Sequence, residues 1–363
     1  MLKVVKSIKI IYNKEYREGE QIMKTFLRKI KNIFFGNSIA QRLFQGYLIA
    51  MLIGALLLVL PFSCAEGAEK VNFIDALFIS ASACSDTGLT TLQLSSQFSF
   101  FGQLVIILLV QIGGIGILTL KIMFLLFLGK KIKLKERLFG ASERGSGKLG
   151  GSVDLIKTSL AVLFITEFVA AILMMIRFLT VPEYREMFPS TGKLIWTAIF
   201  HSISATNNAG FDILGTPANP FPSITAYAGN PIVNVVIMFL IIAGGIGFLT
   251  WEDICINKTH FRKYHMQSKI ILVTTALLIV LPAVFFFFSD FTHLSVGKRL
   301  LASAFQAVTP RTAGFNTMDI SKMTEVSKAM IIILMLVGGS PSSTAGGMKT
   351  TTFAVLILNA FAT

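Results

Sequence analysis

Long apolar runs alternate along this chain with short polar breaks that carry glycine. Leu43–Phe62, Phe100–Leu128, Thr158–Leu179, Ile232–Thr250 and Ile270–Phe288 are apolar runs, each close to the roughly 20 residues that a helix needs to cross a membrane. Between them lie three apolar segments too short to cross: Phe73–Ala83, Trp196–Ser204 and Leu300–Val308. Each leads into a polar stretch that reaches glycine and then a bulky apolar residue. The stretches are Cys84-Ser85-Asp86-Thr87-Gly88-Leu89, Ala205-Thr206-Asn207-Asn208-Ala209-Gly210-Phe211 and Val308-Thr309-Pro310-Arg311-Thr312-Ala313-Gly314-Phe315-Asn316-Thr317. Backbone groups cannot go unpaired in lipid, so non-helical chain at membrane depth is buried in protein or lines water. The pattern predicts an all-α integral membrane protein of repeated units. Each unit is a helix, a half-helix that dips and returns through an extended loop, and a returning helix.

A second repeat supports the first. Gly113-Gly114-Ile115-Gly116-Ile117-Leu118-Thr119 recurs as Gly244-Gly245-Ile246-Gly247-Phe248-Leu249-Thr250. A fixed internal period is weighed before other signals. Small residues let membrane helices approach closely, so these glycines read as packing positions rather than site residues. The expected organisation is a segment 1–42, repeat 1 over 43–128, a linker 129–157, repeat 2 over 158–250, a linker 251–269, and repeat 3 over 270–363. Three polar loops, each behind a short apolar helix and before another, argue against ordinary exposed loops.

Composition sharpens the class. The chain is 53% hydrophobic and 14% charged, against about 25% charged in soluble domains. The net charge of +14 is clustered. Residues 1–42 hold ten Lys/Arg against three acids, residues 129–157 hold eight against three, and Lys258, Arg262, Lys263 and Lys269 follow. The positive-inside rule places all three segments, including the N-terminus, in the cytoplasm. The charge therefore reports topology and contact with anionic lipid; no basic folded domain is left to bind nucleic acid. Residues 1–42 read as an interfacial helix, with a disordered basic tail as the alternative for residues 1–20. The three cysteines show no CxxC, and no disulfide framework or metal site is inferred. The four histidines are expected at surfaces or interfaces. Gly140–Lys148 is not a phosphate loop, since Ser142 stands where glycine is needed and Leu149 where Ser or Thr is needed.

The third returning helix is broken. After Ala329–Val337 comes Gly338-Gly339-Ser340-Pro341-Ser342-Ser343-Thr344-Ala345-Gly346-Gly347, then Lys349, and apolar residues resume at Phe353. Such a break inside a membrane helix is costly unless it faces water. Gly338 comes 24 residues after Gly314, beside 25 and 34 residues from Gly88 and Gly210 to their Gly-Gly pairs, so it falls on the cytoplasmic side. Glycine pairs at both ends suit a hinge, and the reading is a gate held by Ser340, Ser342, Ser343, Thr344 or Lys349, with a static helix kink at Pro341 as the alternative.

The four motifs together resemble the Trk/Ktr/HKT potassium transporters, closest to the bacterial Ktr-type membrane subunit. Asp86-Thr87-Gly88-Leu89, Asn207-Asn208-Ala209-Gly210-Phe211 and Thr309–Thr317 resemble its first three filter loops. Ser342–Lys349 resembles its intramembrane loop. The resemblance covers about residues 43–363. It implies four helix–half-helix–helix units around one central pore, with ions held by backbone carbonyls that replace the hydration shell. On that basis the filter residues are Ser85, Asp86, Thr87, Gly88, Thr206, Asn207, Asn208, Ala209, Gly210, Thr309, Arg311, Thr312, Ala313 and Gly314. The gate residues are Gly338, Gly339, Ser340, Ser342, Ser343, Thr344, Gly346, Gly347 and Lys349. The resemblance further implies potassium as the transported ion, sodium as a candidate coupling ion, a bacterial cytoplasmic membrane, a homodimer, a cytoplasmic nucleotide-binding regulatory ring, and no enzymatic chemistry. Asp86 departs from the pattern and is expected at the outer mouth as a cation attractor. Repeats start near residues 43, 158 and 269, so a fourth needs roughly another hundred residues; these 363 residues hold three of four and are not expected to conduct selectively alone.

Two other classes compete. A broken-helix transporter of a small organic solute needs charged or aromatic ligands at the midplane, for which Lys121, Glu167 and Asp86 are the few candidates. A truncated, non-conducting structural subunit is the third.

Overall fold

The structure is a computed structural model that describes residues 38–128, 152–216 and 218–362. They fall into two units. The first, ending at Ile49, contributes the start of one helix; the second, Ala50–Thr363, holds the rest. The expected interfacial helix within residues 1–42 lies outside the described residues up to position 37, as do residues 129–151 of the first linker.

The described chain is helical, with isolated bridges in place of strands. Repeat 1 contains α1 (Ile39–Val59), α2 (Phe73–Cys84), α3 (Phe100–Ile115) and α4 (Ile117–Phe127). Repeat 2 contains α5 (Ser152–Thr180), α6 (Thr191–Thr206), α7 (Pro231–Gly245) and α8 (Phe248–Asn257). Repeat 3 contains α9 (Met266–Ser289), α10 (Val296–Val308), α11 (Glu325–Leu336) and α12 (Thr350–Ala362). Within α1, α5 and α9 lie stretches long and apolar enough to cross a membrane; the bent pairs α3/α4 and α7/α8 raise the number of spans to as many as five. Only 28% and 22% of the apolar windows of α5 and α9 are buried inside the protein. Phe164, Ile165 and Phe168 on α5, and Val280, Leu281 and Val284 on α9, face outward. In water that surface would be destabilising by about 25 cal/mol per Å², so it is a face to be covered by lipid or by protein.

The first half-helix starts at Phe73 as expected, while the second and third start earlier than their apolar cores. Asn72 Oδ1 accepts from the Ile74 N–H, and Ser190 Oγ accepts from the Lys193 N–H, each at 3.2 Å. These caps satisfy N–H groups that a helix start leaves open. The Ser190 cap draws Gly192 and Lys193 into the first turn of α6; α10, without a side-chain cap, takes in Gly297, Lys298 and Arg299.

The returning helices differ from the single runs expected over Phe100–Leu128 and Ile232–Thr250. Both break, with bends of 97° and 100°, at Gly116 (φ 86°) and Gly247 (φ 83°). A left-handed residue ends a helix, and glycine adopts it without a Cβ penalty. The Gly-Gly-Ile-Gly motif is therefore an elbow as well as a packing surface. His201 also differs from its expected surface position: it is buried in α6, with Nδ1 2.8 Å from the Thr197 carbonyl oxygen.

Two apolar clusters join neighbouring repeats. One brings Ile79, Phe98 and Val110 of repeat 1 to Phe200 and Phe211 of repeat 2. The other brings Met174, Tyr227 and Leu240 of repeat 2 to Phe305 and Phe315 of repeat 3. The bulky residue after Gly210 and after Gly314 is thus rooted in the core it shares with the preceding repeat.

Candidate ion-conducting site

Half-helices α2, α6 and α10 deliver their C-terminal ends to the three polar loops. A helix C-terminus carries about half a negative charge, so each loop lies at an end that favours a cation. The loops share one backbone pattern, in which two left-handed residues flank one that is not. The left-handed pairs are Asp86 (φ 51°) and Gly88 (φ 79°), Asn208 (φ 56°) and Gly210 (φ 72°), and Thr312 (φ 65°) and Gly314 (φ 81°). For a residue with a Cβ this conformation costs about 1–2 kcal/mol, and a β-branched residue such as Thr312 is an outlier there. Strain of this kind persists only where the surroundings enforce it, and it gathers at functional sites.

The loops abut in order. A methyl group added at Gly88 would sit 2.0 Å from the Ala209 carbonyl oxygen, and one at Gly210 would sit 2.2 Å from the Ala313 carbonyl oxygen. In both steps the carbonyl of the residue before a loop glycine faces the glycine of the preceding loop. Gly314 continues the series with only Gly210 Cα near, at 3.9 Å. Hydroxyls brace the loops from behind: Ser204 Oγ donates to the Phe211 carbonyl at 2.9 Å, and Thr309 Oγ1 donates to the Phe315 carbonyl. The Ala209 N–H donates to the Ser204 carbonyl and the Thr87 N–H to the Ser82 carbonyl, both at 2.9 Å.

Not every residue expected in the filter turns toward the other loops. Asp86 differs from its expected place at the outer mouth. Its carboxylate lies against Gly113 of α3, where an added methyl would come 2.8 Å from Oδ2. The left-handed turn sends the side chain back toward the returning helix. Ser85 Oγ stays local, 2.7 Å from Thr87 Oγ1. The Thr206 carbonyl, at the end of α6, accepts from Thr344 Oγ1 at 3.1 Å. Asn207 points into the protein, toward Gln111 and Glu167. Arg311 is buried, with Nη2 3.4 Å from Thr275 Oγ1 and 3.5 Å from the Gly338 carbonyl.

The Gly-Gly pairs press on the backs of these loops. A methyl at Gly114 would sit 1.8 Å from Asn207 Oδ1, and one at Gly244 would sit 1.9 Å from the Thr206 carbonyl oxygen. The glycines read as scaffold are thus the surface on which the loops rest.

The segment 338–347 forms a hydrogen-bonded loop between α11 and α12. Its ends pair through the Gly338 N–H to the Met348 carbonyl (3.1 Å) and the Gly339 N–H to the Gly346 carbonyl (3.2 Å). Its body docks on the repeat 2 elbow. Ser340 N–H donates to the Gly245 carbonyl at 2.8 Å, and Phe248 N–H donates to the Ser342 carbonyl at 2.8 Å. A Cβ at Gly247 would meet the Pro341 carbonyl oxygen at 2.3 Å. Thr344 reaches the second polar loop, accepting from Asn208 Nδ2 at 3.0 Å. Ser343 Oγ donates to the Ser340 carbonyl (2.6 Å), and Lys349 Nζ donates to the Ala345 carbonyl (2.7 Å). Gly347 is left-handed (φ 74°), as is Ser342 (φ 58°).

This architecture, all-α units with re-entrant half-helices meeting at strained polar loops, defines a membrane pore protein rather than an enzyme. Over residues 56–362 the chain matches the family model described as TrkH, a cation transport protein. The chain belongs to that family, within the Trk/Ktr group. It is similar to the Ktr system potassium uptake protein B of Bacillus subtilis, at 39% identity across 87% of this chain and 69% of that protein. It is also similar to the potassium/sodium uptake protein NtpJ of Enterococcus hirae, at 35% identity across 88% of this chain and 68% of that protein. The solved structure of the potassium transporter TrkH from Vibrio parahaemolyticus has the same fold, with a TM-score of 0.62 at 21% identity. That match covers 90% of this chain and 62% of that one.

Proposed function

We propose that this chain is the ion-translocating subunit of a potassium uptake system, with Gly88, Gly210 and Gly314 and the residues before them forming its selectivity filter. One observation carries the reading. Three loops, repeated along the chain, adopt the same strained backbone, and the second and third each pass a carbonyl to the glycine of the loop before. Carbonyls held in that way can replace the hydration shell of a monovalent cation. A fourth loop would take its place beyond Gly314, facing it as Ala313 faces Gly210. The relatives named for potassium uptake, and the one named for potassium/sodium uptake, supply the substrate class; sodium then enters as a coupling ion or a competitor. Loop 338–347 is the gate, since it lies under the second filter loop and is held by hydrogen bonds to the Gly244–Phe248 elbow.

The same reading places the N-terminus in the cytoplasm, the apolar faces of α5 and α9 in lipid, a second copy of the chain alongside, and a nucleotide-binding ring below. The test is rubidium-86 uptake in a host lacking its own potassium uptake. The 363 residues are expressed alone and joined to a fourth repeat from the family. Uptake that appears with the fourth repeat and resists sodium supports the reading. Selective uptake by the 363 residues alone refutes the four-loop ring, and uptake of an amino acid or sugar in place of rubidium refutes the ion assignment.

A further inference from the structure

Behind the second filter loop lies a buried polar network. Glu167, in the middle of helix α5 and the one charged residue between Lys157 and Arg177, is 6% exposed. Its Oε1 accepts from Gln111 Nε2 at 3.1 Å and from Asn207 Nδ2 at 3.3 Å, while Oε2 has only a longer contact with Gln111 Nε2, at 3.4 Å. Gln111 returns Oε1 to Asn207 Nδ2 at 3.0 Å, and Asn207 Nδ2 also donates to the Ile203 carbonyl at 2.9 Å. The backbone is tied as well, since Ser202 Oγ donates to the Glu167 carbonyl at 2.6 Å.

The network joins three elements from two repeats: α3 through Gln111, α5 through Glu167, and the end of α6 through Asn207. Asn207 immediately precedes Asn208, the left-handed residue of the second loop. Its side chain has no freedom on the far side, because Gly114 leaves space only for a hydrogen there. A carboxylate in an apolar helix is costly unless its bonds are supplied by the protein, and here the groups supplied belong to the filter loop and its neighbour. We infer that Glu167 is a positioning residue for the ion filter: acting directly and through Gln111, it fixes the rotamer of Asn207 and so holds Asn208-Ala209-Gly210 in the conformation that presents the loop carbonyls.

Oε1 carries both of the carboxylate's shorter bonds, so one acceptor oxygen suffices. Glu167→Gln keeps that oxygen and Glu167→Leu removes it. Glu167 also lines an open crevice of about 550 Å³ between Phe164, Phe168, Ile199 and Ile203, which leaves room for leucine without pressing on the filter.

The inference rests on the filter reading above, and two measurements keep the two apart. The first is hydrogen exchange of the backbone amides of residues 204–211 in the purified protein, which reports loop order whether or not ions pass. Exchange should be at least about tenfold faster in Glu167→Leu, as expected for about 1.4 kcal/mol of lost protection, and unchanged in Glu167→Gln. The second is the potassium-over-sodium ratio of rubidium uptake in the transporter carrying a fourth repeat. It should fall about tenfold in Glu167→Leu and stay within about twofold in Glu167→Gln, the same scale of coupling. Gln111→Leu reads the network from repeat 1, should show the same faster exchange, and carries the test if Glu167→Leu fails to fold. Unchanged exchange in both leucine variants overturns the positioning role, and so does equal damage from Glu167→Gln. Faster exchange in a transporter whose parent shows no ion preference upholds the positioning role and overturns the filter assignment instead.

Discussion

Replacing Gly244 by alanine puts a methyl group 1.9 Å from the Thr206 carbonyl oxygen, and 2.8 Å from both Asn208 Nδ2 and Thr344 Oγ1. A carbon–oxygen contact settles near about 3.3 Å, so α7 and the second filter loop must part by about 1.4 Å at that point. The nearest obstacle is backbone, which cannot swing away as a side chain can. Overpacking of this kind costs typically about 1–3 kcal/mol. The adjacent Gly245 provides the control, because a methyl there meets nothing within 4 Å. Alanine is the better helix former by about 1 kcal/mol, so Gly245→Ala is neutral or slightly stabilising. Gly244→Ala gains the same propensity, because both glycines lie in α7, so the two variants should differ by the overpacking cost alone, about 1–3 kcal/mol. Thermal melting of the detergent-solubilised protein checks the stability order, with Gly244→Ala melting lower and Gly245→Ala at or above the parent. Rubidium uptake in the transporter with a fourth repeat checks the consequence, a loss confined to Gly244→Ala. Equal melting and equal uptake for the two alanines would falsify the claim that Gly244 is the seat of the filter loop.

Gly210→Ser should lower potassium preference over sodium, because its Cβ enters the space of the Ala313 carbonyl at a left-handed position; the ratio of the two permeabilities measures it, and an unchanged ratio removes Gly210 from the filter. Deleting Ser340–Thr344 should raise flux and weaken dependence on a cytoplasmic regulator while selectivity stays intact; a deletion that shifts selectivity with no gain in flux makes the loop structural. At the C-terminal end of α9, burial pushes Asp290 up, but hydrogen bonds from Ser289, Ser327 and Thr324 outweigh it and hold the carboxyl below its ordinary value of 3.8. Its contribution to stability is therefore complete above that value and is lost as pH falls through the lower, folded one; melting followed against pH should show an acid-side decline that Asp290→Asn lacks.

The half-helices and their loops were legible because a short apolar run ending at glycine differs visibly from a spanning run. The first turns of the second and third were not legible, because Gly192 and Lys193, or Lys298 and Arg299, look like loop until the cap at Ser190 or the start at Val296 is seen. The elbows at Gly116 and Gly247 were hidden for the opposite reason: apolar residues continue through them, and hydropathy does not register a change of backbone hand. Asp86 was misplaced because a charge beside a filter suggests a mouth, whereas its left-handed φ turns the carboxylate toward Gly113. The partnership of Glu167 with Gln111 and Asn207 spans 56 and 40 residues of chain and leaves no local signature.

Thr344 has one hydroxyl hydrogen, and the structure commits it to the Thr206 carbonyl while the hydroxyl oxygen takes a hydrogen from Asn208. A single atom thus closes the circuit between the end of α6, the strained turn of the second loop and the segment below. Withdrawing that segment leaves an acceptor at Thr206 and a donor at Asn208 without their shared partner in the same instant. Each orphaned group costs about 1–3 kcal/mol until water reaches it, so partial withdrawal is the least favourable state. If the segment is the gate proposed above, these two bonds make it a latch with two positions rather than a graded valve, with water pairing both groups only once it has left.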